Sequence, residues 1–218
     1  MAGRKVFYQL YTRLKMVKVL IKETDLMFLQ GMEYYLSDFF WRRFRLKAEF
    51  ITDYNSENIA VADVIVLSMC NGERYTCFPE LRARRKGIII GLVDERDYRR
   101  SPLCFEDILY LTRRESLEEI THQLYIAWQQ WIVSDVFPQY TSCLNCKHYT
   151  LSLKQRDILD KYYKGNSIEH IARMMNISYK TVTTHKYSMM HKFGLKNDCE
   201  LFRLLGRLKE RSITQKFL

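Results

Sequence analysis

The chain has 218 residues and 47% hydrophobic content, enough to bury a core in one or two domains. No run of about 18 apolar residues occurs, which excludes an obvious membrane-spanning helix. The N-terminus also lacks the clean apolar core and small residues of a secretory signal. The net charge is +10, and it is unevenly spread: residues 151–218 hold 14 of the 35 Lys and Arg but 6 of the 25 Asp and Glu, leaving 21 against 19 in residues 1–150. A basic excess confined to one segment is the electrostatic footprint of nucleic-acid binding.

Residues 1–15, MAGRKVFYQLYTRLK, are basic and aromatic and read as an N-terminal extension. The regular pattern begins at Met16, itself a candidate for the natural start. Residues 16–133 then alternate strands and helices. Val17–Ile21 is a strand, and Asp25–Phe40 a helix with apolar Leu26, Leu29, Met32, Tyr35 and Leu36. Ala48–Ile51 is a short strand. Ala62–Leu67 and Gly87–Leu92 are continuous apolar strands of the kind buried on both faces of a parallel sheet, and Ile108–Leu111 is a further one. Ser116–Trp131 is a helix with Leu117, Ile120, Leu124, Ala127, Trp128 and Trp131 on one side. The predicted class is α/β, a five-stranded parallel sheet covered by helices.

Ser134–Thr150 breaks the pattern with Pro138 and small polar residues and reads as a linker. It holds Cys143, Cys146 and His148, half of a structural zinc set that normally takes four ligands. Cys70, Cys77, Cys104 and Cys199 are scattered and supply no second pair, so these are expected to be reduced thiols of a cytoplasmic protein, with no metal and no cofactor.

Residues 151–218 read as four helices and a short tail. Ser152 and Gln155 have the spacing of a capping box, and that helix stops at Gly165. Ser167 and Ser178 can cap the next two helices. Asn176 lies between them and tolerates the left-handed conformation of a tight turn, and Gly194 ends the second. Val182, Met189 and Phe193 form its inward stripe. Lys180, Thr184, Tyr187 and His191 fall on another face, hydrogen-bonding and basic, as a helix facing a DNA groove requires. Asn197–Glu200 opens a last helix with Leu201, Leu204, Leu205 and Leu208 at helical spacing.

Leu151-Ser152, Arg156, Ile158-Leu159, Gly165, Ser167, Ile171-Ala172, Ile177-Ser178, Lys180-Thr181-Val182, Thr184-His185, Lys192-Phe193-Gly194 and Leu201 together resemble the LuxR/FixJ (GerE-type) DNA-binding domain. Within that family the stretch from Lys186 to Leu205 is most similar to RcsB-like regulators of enteric bacteria. Gln155 departs from the family's usual glutamate but can still close the capping box. The resemblance implies that Thr183, Thr184 and Tyr187 face base edges, and that Lys180, Thr181, His185 and Lys186 sit against phosphates. It further implies that Leu201, Leu204, Leu205 and Leu208 form a dimer contact.

The upstream region is similar, more loosely, to the receiver domains of bacterial response regulators. Such a domain needs an aspartate as phosphoacceptor, an acid pair for magnesium, a Ser/Thr and a lysine. Laid over that pattern, Glu23 and Thr24 fall at the acid pair with Asp25 one place late, Ser68 at the acceptor, Val93 at the Ser/Thr and Arg113 or Arg114 at the lysine. A serine hydroxyl cannot form the acyl phosphate, so the resemblance implies a degenerate receiver. A shifted register would instead make Asp63 or Asp94 the acceptor.

No glycine-rich phosphate loop, nucleophile elbow or zincin motif occurs, and His122, His148, His170, His185 and His191 show no catalytic spacing; the chain is not expected to be an enzyme. The expectation is a cytoplasmic transcription regulator bound to double-stranded DNA, with no membrane association. By analogy it activates genes of the capsule, fimbrial or stress type. It works as a homodimer or as a heterodimer with an RcsB-like regulator, and partner pairing, near Leu103–Leu111 and the Ser116–Trp131 helix, controls it in place of aspartyl phosphorylation. The alternatives are a co-regulator acting by protein contact, and a small-molecule sensor whose many aromatic residues line a pocket.

Overall fold

The computed structural model describes residues 16–95, 107–133 and 151–215. These form two compact units, the first from residues 16–69, 78–95 and 107–133, the second from residues 70–77 and 151–215. Cys143, Cys146, His148, Leu103, Cys104 and the N-terminal extension lie outside the described residues, as does the linker.

The first unit runs β1 (Met16–Lys22), α1 (Leu26–Phe44), β2 (Lys47–Ile51), α2 (Ser56–Val61), β3 (Val64–Ser68), β4 (Ile88–Val93), β5 (Ile108–Thr112) and α3 (Leu117–Val133). All strand pairs are parallel, in the order β2-β1-β3-β4-β5. This is the α/β architecture expected from the alternation of apolar runs. Every residue of β3 and β4 is buried, because both faces of a central parallel strand are covered. On one face Val17, Val19, Val64, Val66, Ile90 and Leu92 pack against Leu36, Phe39 and Phe40 of α1 and Leu124 and Trp128 of α3. The Phe40 and Trp128 rings meet edge to face at 4.7 Å, and Trp131 lies 4.7 Å from Trp128. Phe40 and Trp128 are fully buried, and burial of such a side chain contributes about 1.5–3 kcal/mol. Phe39, Phe40, Phe44 and Trp128 are the buried aromatic residues of this core.

Local chemistry sets the ends of these elements. Asp25 lies outside α1 and caps it, its carboxylate accepting the Met27 and Phe28 amides at 3.0 and 3.1 Å. The helix continues past Phe40 to Phe44 and closes on Arg45, held at φ 58°. Helix α2 was not expected; its six residues are too few to display a helical period, but Asn55 caps it by accepting the Asn58 amide at 2.9 Å. The connection from β3 to β4 carries two 3-10 turns, Glu73–Tyr75 and Pro79–Ala83, and no α-helix.

The second unit holds α4 (Leu153–Tyr163), α5 (Ile168–Met174), α6 (Tyr179–Phe193) and α7 (Asp198–Gln215), the four helices expected. The Ser152–Gln155 capping box is formed in both directions, at 3.0 and 3.2 Å. Ile158, Ile171, Ala172 and Val182 make one apolar cluster. Leu159, Met189, Met190, Phe193, Leu195, Leu201, Leu204 and Leu205 make another, which Tyr75 joins. This corrects the reading of the α7 leucines as a dimer contact. Leu201 and Leu204 are 1% exposed, Leu205 is buried and Leu208 packs against the same cluster, so the stripe serves the core of its own unit.

Candidate nucleic-acid interface

The candidate surface is built by a turn and two caps. Helix α5 is capped by Ser167, whose hydroxyl accepts the His170 amide, and beyond its end at Met174 the chain turns at Asn176 with φ 50°. In that left-handed conformation the Ile177 amide reaches back to the Ala172 carbonyl at 3.0 Å. The chain then restarts at Ser178, whose Oγ accepts the Thr181 amide at 3.0 Å and bonds the Thr181 hydroxyl at 2.8 Å. Gly194, at φ 68°, closes α6. Four residues, Met175 to Ser178, thereby join the two helices.

On α6, Val182, Met189 and Phe193 face the core, as their spacing requires. Lys180, Thr184, Tyr187 and His191 are exposed, and so are Tyr179 and Ser188. Tyr179 and Tyr187 are about half exposed or more, at 50% and 60%. Tyr179 was missed in the sequence because it precedes the basic run that drew the reading; its place in the first turn, beside Lys180, was the available signal.

The other expected contacts fare differently. Thr181 and His185 are half-buried, and the Thr181 hydroxyl is tied to the cap. The Thr183 hydroxyl is enclosed and without a hydrogen-bond partner, so it does not present itself to a base edge. Lys186 is buried, which corrects its reading as a phosphate contact. Its Nζ lies 2.6 and 2.8 Å from the Asp198 carboxylate oxygens and 4.9 Å from the centre of the Tyr162 ring. Tyr162 donates to the same carboxylate at 3.0 Å. Burial lowers the Lys186 ammonium's pKa, but Asp198 and Tyr162 outweigh it and hold it above the ordinary value. Burial likewise raises Asp198, and the Lys186 and Tyr162 hydrogen bonds more than reverse it. Lys186 therefore fastens α6 to the start of α7.

Residues 149–205 match the family model described as bacterial regulatory proteins, luxR family. The C-terminal domain is a LuxR-type helix-turn-helix domain. The same region is 41% identical over 58 residues to the transcriptional regulatory protein TdiR of Thauera aromatica, covering 27% of this chain and 26% of that protein. It is 36% identical over 53 residues to the transcriptional regulatory protein UhpA of Escherichia coli (strain K12), covering 24% and 27%. The match thus spans about a quarter of each relative. Among solved structures, the response regulator RcsB in its DNA complex aligns over 88% of this chain and 98% of that one, with TM-score 0.50 and 18% identity. RcsB from Salmonella enterica serovar Typhimurium, bound to promoter P1flhDC with the phosphomimetic BeF3-, aligns over 87% and 97%, with TM-score 0.53 and 17% identity. These structural likenesses establish a receiver-like fold upstream of the LuxR-type domain.

In that receiver-like unit the strand order reverses between β1 and β3, and the crevice at the carboxyl ends of those strands is where such folds place their chemistry. Glu23 follows β1, Ser68 ends β3, Asp94 follows β4 and Arg113 follows β5. Asp63 precedes β3, at the opposite end of the sheet; it accepts the Lys18 amide at 2.9 Å and pairs with Lys86 at 2.6 Å. Asp94 ends a different strand from Ser68. Ser68 is the last residue of β3, and neither Asp63 nor Asp94 lies at that strand end. Of Arg113 and Arg114, it is Arg113 that reaches into this crevice. Its Nη2 donates to Glu23 Oε2 at 2.5 Å and to Ser68 Oγ, and its Nε lies 3.5 Å from Asp94. Burial raises the Glu23 carboxyl's pKa, but the Asp25 and Thr24 amides and the Arg113 guanidinium bring it below the ordinary carboxylate value.

Proposed function

We propose that this protein is a sequence-specific, DNA-binding transcription regulator whose α6 enters the major groove. The observation that carries this is the exposed row Lys180, Thr184, Tyr187 and His191, set on a LuxR-type domain that holds most of the chain's net positive charge. Thr184 and Tyr187 read base edges, Lys180 contacts phosphate, and Tyr179 joins them at the helix start. Two copies pair so that their recognition helices meet half-sites about one helical turn apart. The partner is a second copy or a related regulator, and the contact lies outside the leucines that fill the domain core. The protein acts in the cytoplasm as an activator. Its receiver-like unit works through protein pairing and not through aspartyl phosphate, a reading supported by Ser68 at the end of β3.

The test is selection of bound duplexes from a random-sequence pool by the full chain, followed by binding measured across salt concentrations. Enrichment of a motif is expected, with affinity falling steeply as salt rises because each neutralised phosphate releases counterions. The Lys180→Ala, Thr184→Ala, Tyr187→Ala triple variant should lose the motif. If it still enriches the same motif, the assignment of α6 fails; if the wild type enriches none, the protein acts by protein contact and not by reading DNA.

A further inference from the structure

A receiver-like fold implies a divalent metal held by carboxylates in the crevice between β1 and β3, and the residues present do not fit one. Magnesium requires near-octahedral oxygen ligands at about 2.0–2.1 Å, usually including one or two carboxylates. Asp25, the acid nearest Glu23, directs its Oδ1 to the first turn of α1. Glu23 Oε1 accepts the Thr24 and Asp25 amides at 2.7 and 3.0 Å. Of the Glu23 oxygens that leaves Oε2, and the Arg113 guanidinium lies on it at 2.5 Å while donating also to Ser68 and standing 3.5 Å from the Asp94 carboxylate. A dication bound to the same oxygen would stand against a fixed positive charge, and the repulsion is strong at short range in a partly buried site.

We propose that Arg113 is a built-in cation that replaces the metal and keeps the crevice in a single, occupied arrangement. The inference deepens the reading of this unit as independent of aspartyl phosphate. Its guanidinium also covers the Phe28 ring, with 4.2 Å between Cζ and the ring centre. It therefore connects α1, the loop after β1, the end of β3 and the start of the loop after β5. A metal-dependent switch alternates between loaded and empty states. A covalently attached cation has no empty state, and an arginine supplies planar, multiply donating contacts that a lysine does not.

The Glu23 side chain is 2% exposed with Arg113 over it, so removing Arg113 leaves the carboxylate without its cation, a vacancy that a small dication can fill. The experiment is binding of Mn2+ to the full chain, followed by the ion's paramagnetic resonance signal, with thermal unfolding recorded alongside. Wild type should take up no ion at this site, and its melting temperature should not respond to Mn2+ beyond an ionic-strength control. Arg113→Ala should melt lower, bind Mn2+ at least about tenfold more tightly than wild type, a difference of about 1.4 kcal/mol, and regain part of the lost melting temperature when the ion is added. Adding Glu23→Gln should abolish both responses. Arg113→Lys, which keeps the charge, serves if the alanine variant does not fold, and should bind Mn2+ no better than wild type while melting below it. Equal Mn2+ binding by wild type and Arg113→Ala overturns the proposal, as does binding by neither. A separate arm with acetyl phosphate and magnesium on wild type distinguishes the two readings: a hydroxylamine-labile phosphate there would overturn phosphate independence as well. DNA binding enters none of these readouts.

Discussion

Replacing Lys186 by methionine separates a structural lysine from a DNA-contacting one. Methionine keeps an unbranched apolar stem, so the change chiefly removes the ammonium from its place 2.6 Å from Asp198 and over the Tyr162 ring. The Lys186 side chain is 9% exposed but Asp198 is 49% exposed. The carboxylate left behind can rehydrate, so the cost falls between that of a surface pair and that of a fully buried one, about 1–2 kcal/mol. For a domain of this size that lowers the melting temperature by about 5–15 °C. The cost should shrink in an Asp198→Asn background, where the pair is already gone.

Acidity should act on the same pair. Because the folded Asp198 pKa lies below its ordinary 3.8, its stabilisation is present at neutral pH and is lost as pH falls below that value. The Lys186 contribution is complete below its ordinary 10.5 and is lost only as pH rises through its higher folded value. The deciding assay is the slope of log affinity against log salt for duplex DNA. A phosphate-contacting lysine contributes about 0.9 to that slope. Lys186→Met should leave it unchanged, measured below the variant's melting temperature, whereas Lys180→Ala should reduce it by about one contact. A Lys186→Met protein with undiminished stability and a slope smaller by about 0.9 would show that the buried pair does not exist in solution.

Two further substitutions probe the scaffolds. Gly87 sits at φ 82°, and a Cβ there would lie 2.2 Å from the Asp63 carbonyl oxygen. Gly87→Ala should therefore destabilise the first unit by more than about 2 kcal/mol, seen as an early unfolding transition in calorimetry with the LuxR-type domain unaffected. Asn176→Val places a β-branched residue at φ 50° and should cost the helical unit about 1–2 kcal/mol, whereas Asn176→Gly should be nearly neutral; equal melting temperatures for the two variants would refute the strain argument.

What could be read from the chain alone follows the range of the interactions involved. The caps at Ser152, Ser167 and Ser178, the left-handed turn at Asn176 and the stop at Gly194 depend on groups within a few residues, so spacing and residue type specify them. The continuous apolar runs of β3 and β4 and the inward stripe of α6 are equally local signals. Lys186 carries no such mark: in the sequence it belongs to the same basic run as Lys180, and only Asp198, 12 residues on, and the packed Tyr162 turn it inward. The α7 leucines have the periodicity of either a core stripe or a dimer seam, and burial against α4 and α6 decided for the core. The choice of Arg113 over Arg114, and its junction with Glu23 across 90 residues, required the parallel sheet to bring the strand ends together. Composition and periodicity thus determined which elements form and which domain carries the positive charge. Only the tertiary structure decided which cations remain available to a ligand, because that depends on partners distant in sequence.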